Sequence, residues 1–499
     1  MSPRFRYVII ILLGALWMPA ISESADGSSS FKPTIRRVEQ VSLALGESVV
    51  FTTRTGDKKV IRLIAIDEKR DPIRDGIRSA EATVRVGEET RVIPVGGYFL
   101  PTVVNGMKLD VTVTRGYLRH NLKADQWRLS DGKDAILRFW DADAPLLEPG
   151  TFVYPVRQRF PSPMTQIGNE IVHVNGAEFL PPESPIYYHC CVDIGGYDGK
   201  DDVVATVGGQ VCVIESLVHP LLKEKGVTGQ DGTLAIFGDD GWIYFYIHLA
   251  DIKKDVALGS RIEMGEPIGH IGKRGYSGGW SHLHLSVYTM KGEWVNAYPF
   301  LVEAACREQN ISLLAVARPH RFARVGESVA FDGTASFSSS REITGYRWTY
   351  SDGTVATGSR ATKTYKTPGF YSEILEVEDS DGNKATDVCP VYIVETGADR
   401  RITARPATLH AAYHPSLDIR PGTTIDFTLR TVDPGANGRD VWDFGDGQTQ
   451  ETQPSDAYVS LNHSYSAAGV FKVTIQHVSD SGFPSSTVLF VVVNAPDSH

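Results

Sequence analysis

The stretch WSHLHLSVY, residues 280–288, decides how this chain is read. It has the look of a β-strand in which His282 and His284 stand two residues apart. Side chains on a strand alternate between faces, so these two histidines point the same way. Two further segments share its character. YYHCCVDIGG (187–196) carries His189 and Asp193, four residues apart and on one face if the strand runs through them. WIYFYIHLADI (242–252) carries Tyr246 and His248. A lone histidine in an apolar strand is more often a hydrogen-bonded core residue than a ligand, and an H-x-H pair alone is weak. Together the segments gather neutral imidazoles and a carboxylate, which are good zinc ligands. A catalytic zinc needs three protein ligands and one open position, and it lowers the pKa of its water toward ~7.

Outward from these segments the chain divides by composition. It has 499 residues, 42% of them hydrophobic and 22% charged, enough for several globular cores. The formal net charge of -10 argues against a nucleic-acid partner, which calls for a basic face. Arg4 and Arg6, the apolar run from Val8 to Ala20 and the small residues after it read as a signal peptide over residues 1–25. The expected location is therefore secreted, periplasmic or cell-surface, with no stable membrane span after cleavage. Five cysteines, Cys190, Cys191, Cys212, Cys306 and Cys389, are too few for a disulfide scaffold and do not have zinc-finger spacing.

The expected fold class is mainly β and multidomain. Residues 31–150 read as a β-rich accessory domain, with ESVVFTTRT, KVIRLIAID, EATVRVG and MKLDVTVTRG alternating between turn residues. A packing partner, a pro-domain that covers the cleft and a binding module are all compatible with it. Residues 151–186, with YPVRQRFPSPM and LPPESPIYY, read as a Pro-rich linker. Residues 187–303 carry the histidine segments. VHPLLKEKG (218–226) is the best short helix. Residues 308–396 and 401–495 read as two diverged copies of one β module.

The histidine region resembles the lysostaphin/LytM family of zinc metallopeptidases, which carries H-x-G-x-D, then Y-x-H-L, then H-L-H in that order. VVATVGGQVCVIE, VALGSRIEMGEPIGHIGKRGYSGGWSHLHLSV and GEWVNAYPFL resemble the family's intervening and closing segments. The resemblance covers about a quarter of the chain. It implies an antiparallel β-sheet peptidase domain and one zinc per chain held by His189, Asp193 and His284. It implies His282 as general base, His248 as the group that orients water or stabilises the oxyanion, and assistance from Tyr246. The substrate it implies is peptidoglycan cross-links or another extracellular peptide.

Two departures stand out. Cys191 occupies the family's usual glycine position, and three readings stand: a packed thiol, a disulfide with Cys212, or a group that approaches the metal. Strand parity puts Cys190 on the other face. An insertion spans roughly 217–232, and its His219 reads as a loop residue because the set of five is already complete.

In the C-terminal region, VWDFGDGQTQ and LNHSYSAAGVFKVTIQHVSDSG resemble the PKD domain, an Ig-like β-sandwich. Trp442, the Asp446-Gly447 turn, His463, Tyr465 and Gly469 carry the pattern; Trp348, Asp352, Gly353, Tyr365 and Gly369 repeat it in the first copy, where Ser351 stands for Gly445. These residues read as structural, and the modules as contacts for surface glycan or protein. The function expected of the whole is a secreted zinc metalloendopeptidase. The alternatives are a catalytically silent LytM-like binding or regulatory protein and a cell-surface adhesion protein.

Overall fold

The computed structural model describes residues 38–495 except 98, 120, 122–123, 145–146, 162–164, 167–185, 340, 405 and 434–437. The expected signal peptide and residues 162–164 and 167–185 of the expected linker lie outside the described residues, while Phe152, Tyr154 and Val156 of that stretch are buried in the core of the histidine-bearing domain. Among the described residues no helix is long and apolar enough to cross a membrane.

The mainly β, multidomain expectation holds. Residues 39–141 build an eight-stranded sheet in the spatial order Glu39–Leu43, Ala135–Asp141, Met107–Thr114, Glu89–Val95, Ile77–Val86, Lys58–Arg70 and Ser48–Thr52, with Thr102–Val104 added beside Met107–Thr114. The alternation read from EATVRVG is real: Ala82, Val84 and Val86 are buried while Glu81 and Arg85 face out.

The next sheet holds the histidine segments. Its strands run Leu217–Val218, Gly209–Ile214, Leu234–Gly238, Trp242–Ile247, His282–Thr289, Val192–Gly195 and Thr165–Gln166 in space. Both faces of its centre are covered, which is why LAIFG and WIYFYI read as nearly unbroken apolar runs. Ile243, Phe245 and Ile247 join one apolar cluster with the N-terminal sheet. Tyr244 and Tyr246 join another, with Phe300, Leu301, Ala304 and Ala305 of the helix Tyr298–Glu308. That helix was not anticipated. Its signals are Pro299 in the first turn, which needs no amide hydrogen there, and an apolar face backed by Glu303 and Arg307.

The N-terminal sheet grips the entry to the ligand segment. Tyr188 Oη accepts from the Ile77 amide at 2.6 Å, the Tyr188 carbonyl accepts from Gln126 Nε2 at 3.0 Å, and Tyr117 packs edge-on to the Tyr188 ring at 4.9 Å.

Two β-sandwiches follow and share one long sheet, joined where Phe370 pairs with Ser485. Trp348 and Trp442 are fully buried at their centres. The Asp446-Gly447 turn takes the left-handed backbone expected of it, with Gly447 at φ 90°. Gly445, at φ 78°, runs so close to Lys472 that a Cβ would sit 2.6 Å from its carbonyl oxygen. Ser351 instead bonds through its amide and hydroxyl to Glu373 Oε2, at 2.6 and 2.8 Å.

Candidate metal centre

The strand ladder builds the site. Asp193 pairs with His284 and Gly195 with His282 across antiparallel strands, and paired residues share a face. His189 lies just before its strand, yet its Nε2 comes within 3.1 Å of Asp193 Oδ1 and 3.2 Å of His284 Nδ1. His284 Nδ1 lies 2.7 Å from Asp193 Oδ1. Three ligand atoms therefore converge on one point. A tetrahedral ion with bonds of ~2.0–2.1 Å sets its ligand atoms about 3.3 Å apart, so the triangle has nearly the right size.

The electrostatics agree. Burial works against the Asp193 carboxylate, but His189, His282 and His284 around it hold its pKa well below the usual carboxylate range. Burial also works against a charged His284, yet Asp193, and after it Cys191, override it and drive the imidazole up to about 10. A point that keeps a carboxylate ionised and pulls a proton onto the neighbouring ring attracts positive charge. The residues fit a divalent cation.

Two more histidines stand beside this triad. The ring of His248 is 4.6 Å from that of His282 and 6.0 Å from that of His284. His248, His282 and His284 also offer ligand atoms near one another. The set with Asp193 is the better metal set, because a carboxylate offsets the ion's charge. His248 Nδ1 donates to the Arg274 carbonyl at 2.7 Å, and His282 Nδ1 to the Trp280 carbonyl at 3.1 Å. A carbonyl only accepts, so each Nδ1 carries the proton and each Nε2 keeps its lone pair. Burial, the largest influence, lowers both pKa values, that of His248 to about 4 and that of His282 well below the ordinary range. Both rings are neutral at neutral pH and able to accept a proton.

Tyr246 is a correction. It pairs with Leu285, one residue out of step with His284, and so faces away from the triad. Its hydroxyl is bound to the Thr206 amide at 2.7 Å and the Thr206 hydroxyl at 2.6 Å. Alternation would have put Tyr246 and His248 on one face, but the strand ends at Ile247 and His248 takes φ 72°. That left-handed residue turns the ring onto the other face.

Cys190 does not oppose Cys191 either, because the regular strand begins only at Val192. Their sulfurs lie 2.9 Å apart, and Cys191 Sγ accepts from Ser286 Oγ at 3.0 Å. All five cysteines are free, so the pairing of Cys191 with Cys212 is not found. Cys191 is not among the groups whose ligand atoms converge. His219 caps the short helix Pro220–Lys223 and stays outside the site. The residue that sequence reading missed is Trp280, whose ring lies parallel to that of His282 at 3.9 Å and 14°. Its place two residues before the H-L-H pair was the available signal.

Convergent His and Asp side chains on a β-sheet, flanked by two further histidines, form a potential metal-binding group. Residues 187–297 match peptidase family M23, and residues 314–393 and 409–493 match PKD domains. The chain thus carries an M23 metallopeptidase domain followed by two PKD domains. A microbial collagenase of Vibrio alginolyticus is 27% identical over 127 residues, which are 23% of this chain and 16% of the collagenase. Similar solved structures include the PKD domain of an M14-like peptidase from Thermoplasmatales archaeon SCGC AB-540-F20, at 26% identity, 18% of this chain, 96% of that one and a TM-score of 0.17. They also include Csd3 of Helicobacter pylori, at 16% identity over 49% of this chain and 82% of that one, with a TM-score of 0.22. The antimicrobial peptidase lysostaphin from Staphylococcus simulans stands at 15% identity, 43% and 86% coverage, and a TM-score of 0.19.

Proposed function

We propose that this protein is an extracellular zinc endopeptidase that cuts the peptide cross-links of peptidoglycan. The observation that carries the reading is the convergence of His189, Asp193 and His284 beside two neutral histidines whose Nδ1 protons are held by backbone carbonyls. His189 Nε2, Asp193 and His284 Nδ1 would hold the ion. When bound, it supplies Lewis-acid chemistry, activating water near neutral pH and polarising the scissile carbonyl. His282 takes the proton from the attacking water and returns it to the leaving amine. Its Nε2 lies 3.5 Å from Asp193 Oδ2, so the ring already faces the ligands. His248 orients the water or stabilises the developing oxyanion. His189, Asp193, His248 and His282 are at most 5% exposed, while the His284 side chain keeps 14% of its surface.

The peptidoglycan substrate rests on the likeness of the ligand motifs to lysostaphin-type enzymes, the extracellular setting on the PKD domains and the signal-peptide pattern. The test has two parts. Elemental mass spectrometry of the purified full chain should find about one zinc per chain. Digestion of purified peptidoglycan should release cross-bridge fragments with new amino termini. Absence of zinc after metal is supplied to folded protein would sink the enzyme reading in favour of a binding module. Zinc without new termini would redirect the search to other extracellular peptides.

A further inference from the structure

The four residues before the H-L-H pair, Gly278 to Ser281, each lie against the second PKD domain. The Gly278 carbonyl accepts from Arg430 Nη1 at 3.0 Å. A Cβ on Gly279 would lie 3.0 Å from Arg430 Nη2, so the guanidinium lies close over that glycine. Trp280 packs edge-on to the buried His410 ring at 5.7 Å. The Ser281 amide donates to Tyr458 Oη at 2.8 Å. Arg430 is itself fixed by Asp456, with Nε donating to the carbonyl and Nη2 to Oδ1, both at 2.9 Å. The same domain reaches further along the peptidase: Ser460 Oγ lies 2.9 Å from Tyr197 Oη, His414 Nδ1 lies 2.7 Å from Asp201 Oδ1, and Asp426 pairs with Lys200.

The segment needs such bracing. Gly275, Gly278 and Gly279 all take positive φ, at 68°, 67° and 79°, and glycines leave a chain more conformational freedom than any other residue. Trp280, at the end of this run, contacts His282 twice: its ring stacks on the imidazole, and its carbonyl accepts from Nδ1. The stack fixes the plane of the ring, and the hydrogen bond fixes the tautomer.

We infer that the second PKD domain is part of the catalytic scaffold, holding Gly278–Ser281 through Arg430, His410 and Tyr458 so that Trp280 sets the position of the His282 ring. Trp280 is then a positioning residue that acts through His282. This deepens the metallopeptidase reading above and rests on it.

The test uses the full chain with Arg430→Met, Tyr458→Phe, Trp280→Ala and Trp280→Phe, each assayed on the cross-linked muropeptide cut in the digestion above. Zinc content should stay at the wild-type level in all four, because no ligand is touched. A misplaced base should lower kcat by about 10- to 100-fold in Arg430→Met and Trp280→Ala, with KM changed by less than about threefold. Tyr458→Phe removes one contact and should fall between these and the wild type. Trp280→Phe keeps an aromatic ring and should recover most of the loss seen in Trp280→Ala. Histidine-ring carbon NMR supplies a readout that needs no activity: the His282 signal, shifted by the indole, should move in Arg430→Met and in Tyr458→Phe.

Wild-type kcat in both PKD-domain variants with an unmoved His282 signal overturns the inference. A rise in activity also overturns it, since the domain would then be a cover and not a support. Should the wild type bind no zinc, the metallopeptidase reading fails by itself, and the NMR signal still decides whether His282 depends on Arg430 and Tyr458.

Discussion

Asp193 and His284 take their places from the strand ladder, where they are directly paired, and His189 from the segment just before it, whereas His248 and His282 are aimed by the backbone carbonyls of Arg274 and Trp280. The first arrangement rests on one sheet and on the segment leading into it, where the N-terminal sheet holds Tyr188. The second depends on a left-handed residue and a glycine-rich segment touched by another domain. The proposed metal ligands and the proposed proton-transfer histidines thus have different supports. They should be separable by mutation.

The largest effect should come from the ladder side. His189→Ala combined with His284→Ala should abolish bound zinc, and peptidase activity should fall by more than the ~10⁴-fold that marks the upper range for losing a general base. Retained zinc would overturn the site altogether, because His284 belongs to both groups of converging ligand atoms. On the other side, His282→Ala should keep zinc while kcat falls by about 10²–10⁴-fold. His248→Ala should also keep zinc, with a loss nearer 10²-fold, roughly that of one oxyanion-stabilising donor. Loss of zinc from either single variant would erase the division. The smallest catalytic effect belongs to Tyr246→Phe. It leaves the buried Thr206 amide without its partner, which should lower stability by about 1–3 kcal/mol in urea unfolding. Its kcat per zinc should stay within about twofold, because a buried hydroxyl on the opposite face takes no part in the chemistry. A large fall in kcat at full stability would return Tyr246 to the site.

Much of this was legible in the sequence where structure is periodic. His282 and His284 were placed on one face by counting residues along a strand, and Asp193 joined them through register. Counting failed where the period breaks. Tyr246 and His248 ended on opposite faces because His248 leaves the strand at positive φ, and Cys190 met Cys191 because the strand starts one residue later. Non-helical residues other than glycine rarely announce a left-handed backbone, so no local pattern could have warned of the first. The grip of Arg430 and Tyr458 on Gly278–Ser281 was hidden for a different reason: it joins segments about 150–180 residues apart, and no alternation within either one encodes it. The PKD-like signatures, by contrast, name core residues such as Trp442 and Tyr465, which report the fold of the module and not what its outer face touches.

The contact between Tyr188 and the N-terminal sheet bears on how the chain would respond to nicking. Ile77 and Gln126 hold Tyr188 from the N-terminal domain, and one apolar cluster joins Trp127 and Tyr117 on one side to Phe245 and Trp294 on the other. A cut between residues 167 and 185 would break the covalent thread and leave that cluster whole. The two fragments would travel together through a sizing column, and the N-terminal piece would separate only under denaturant.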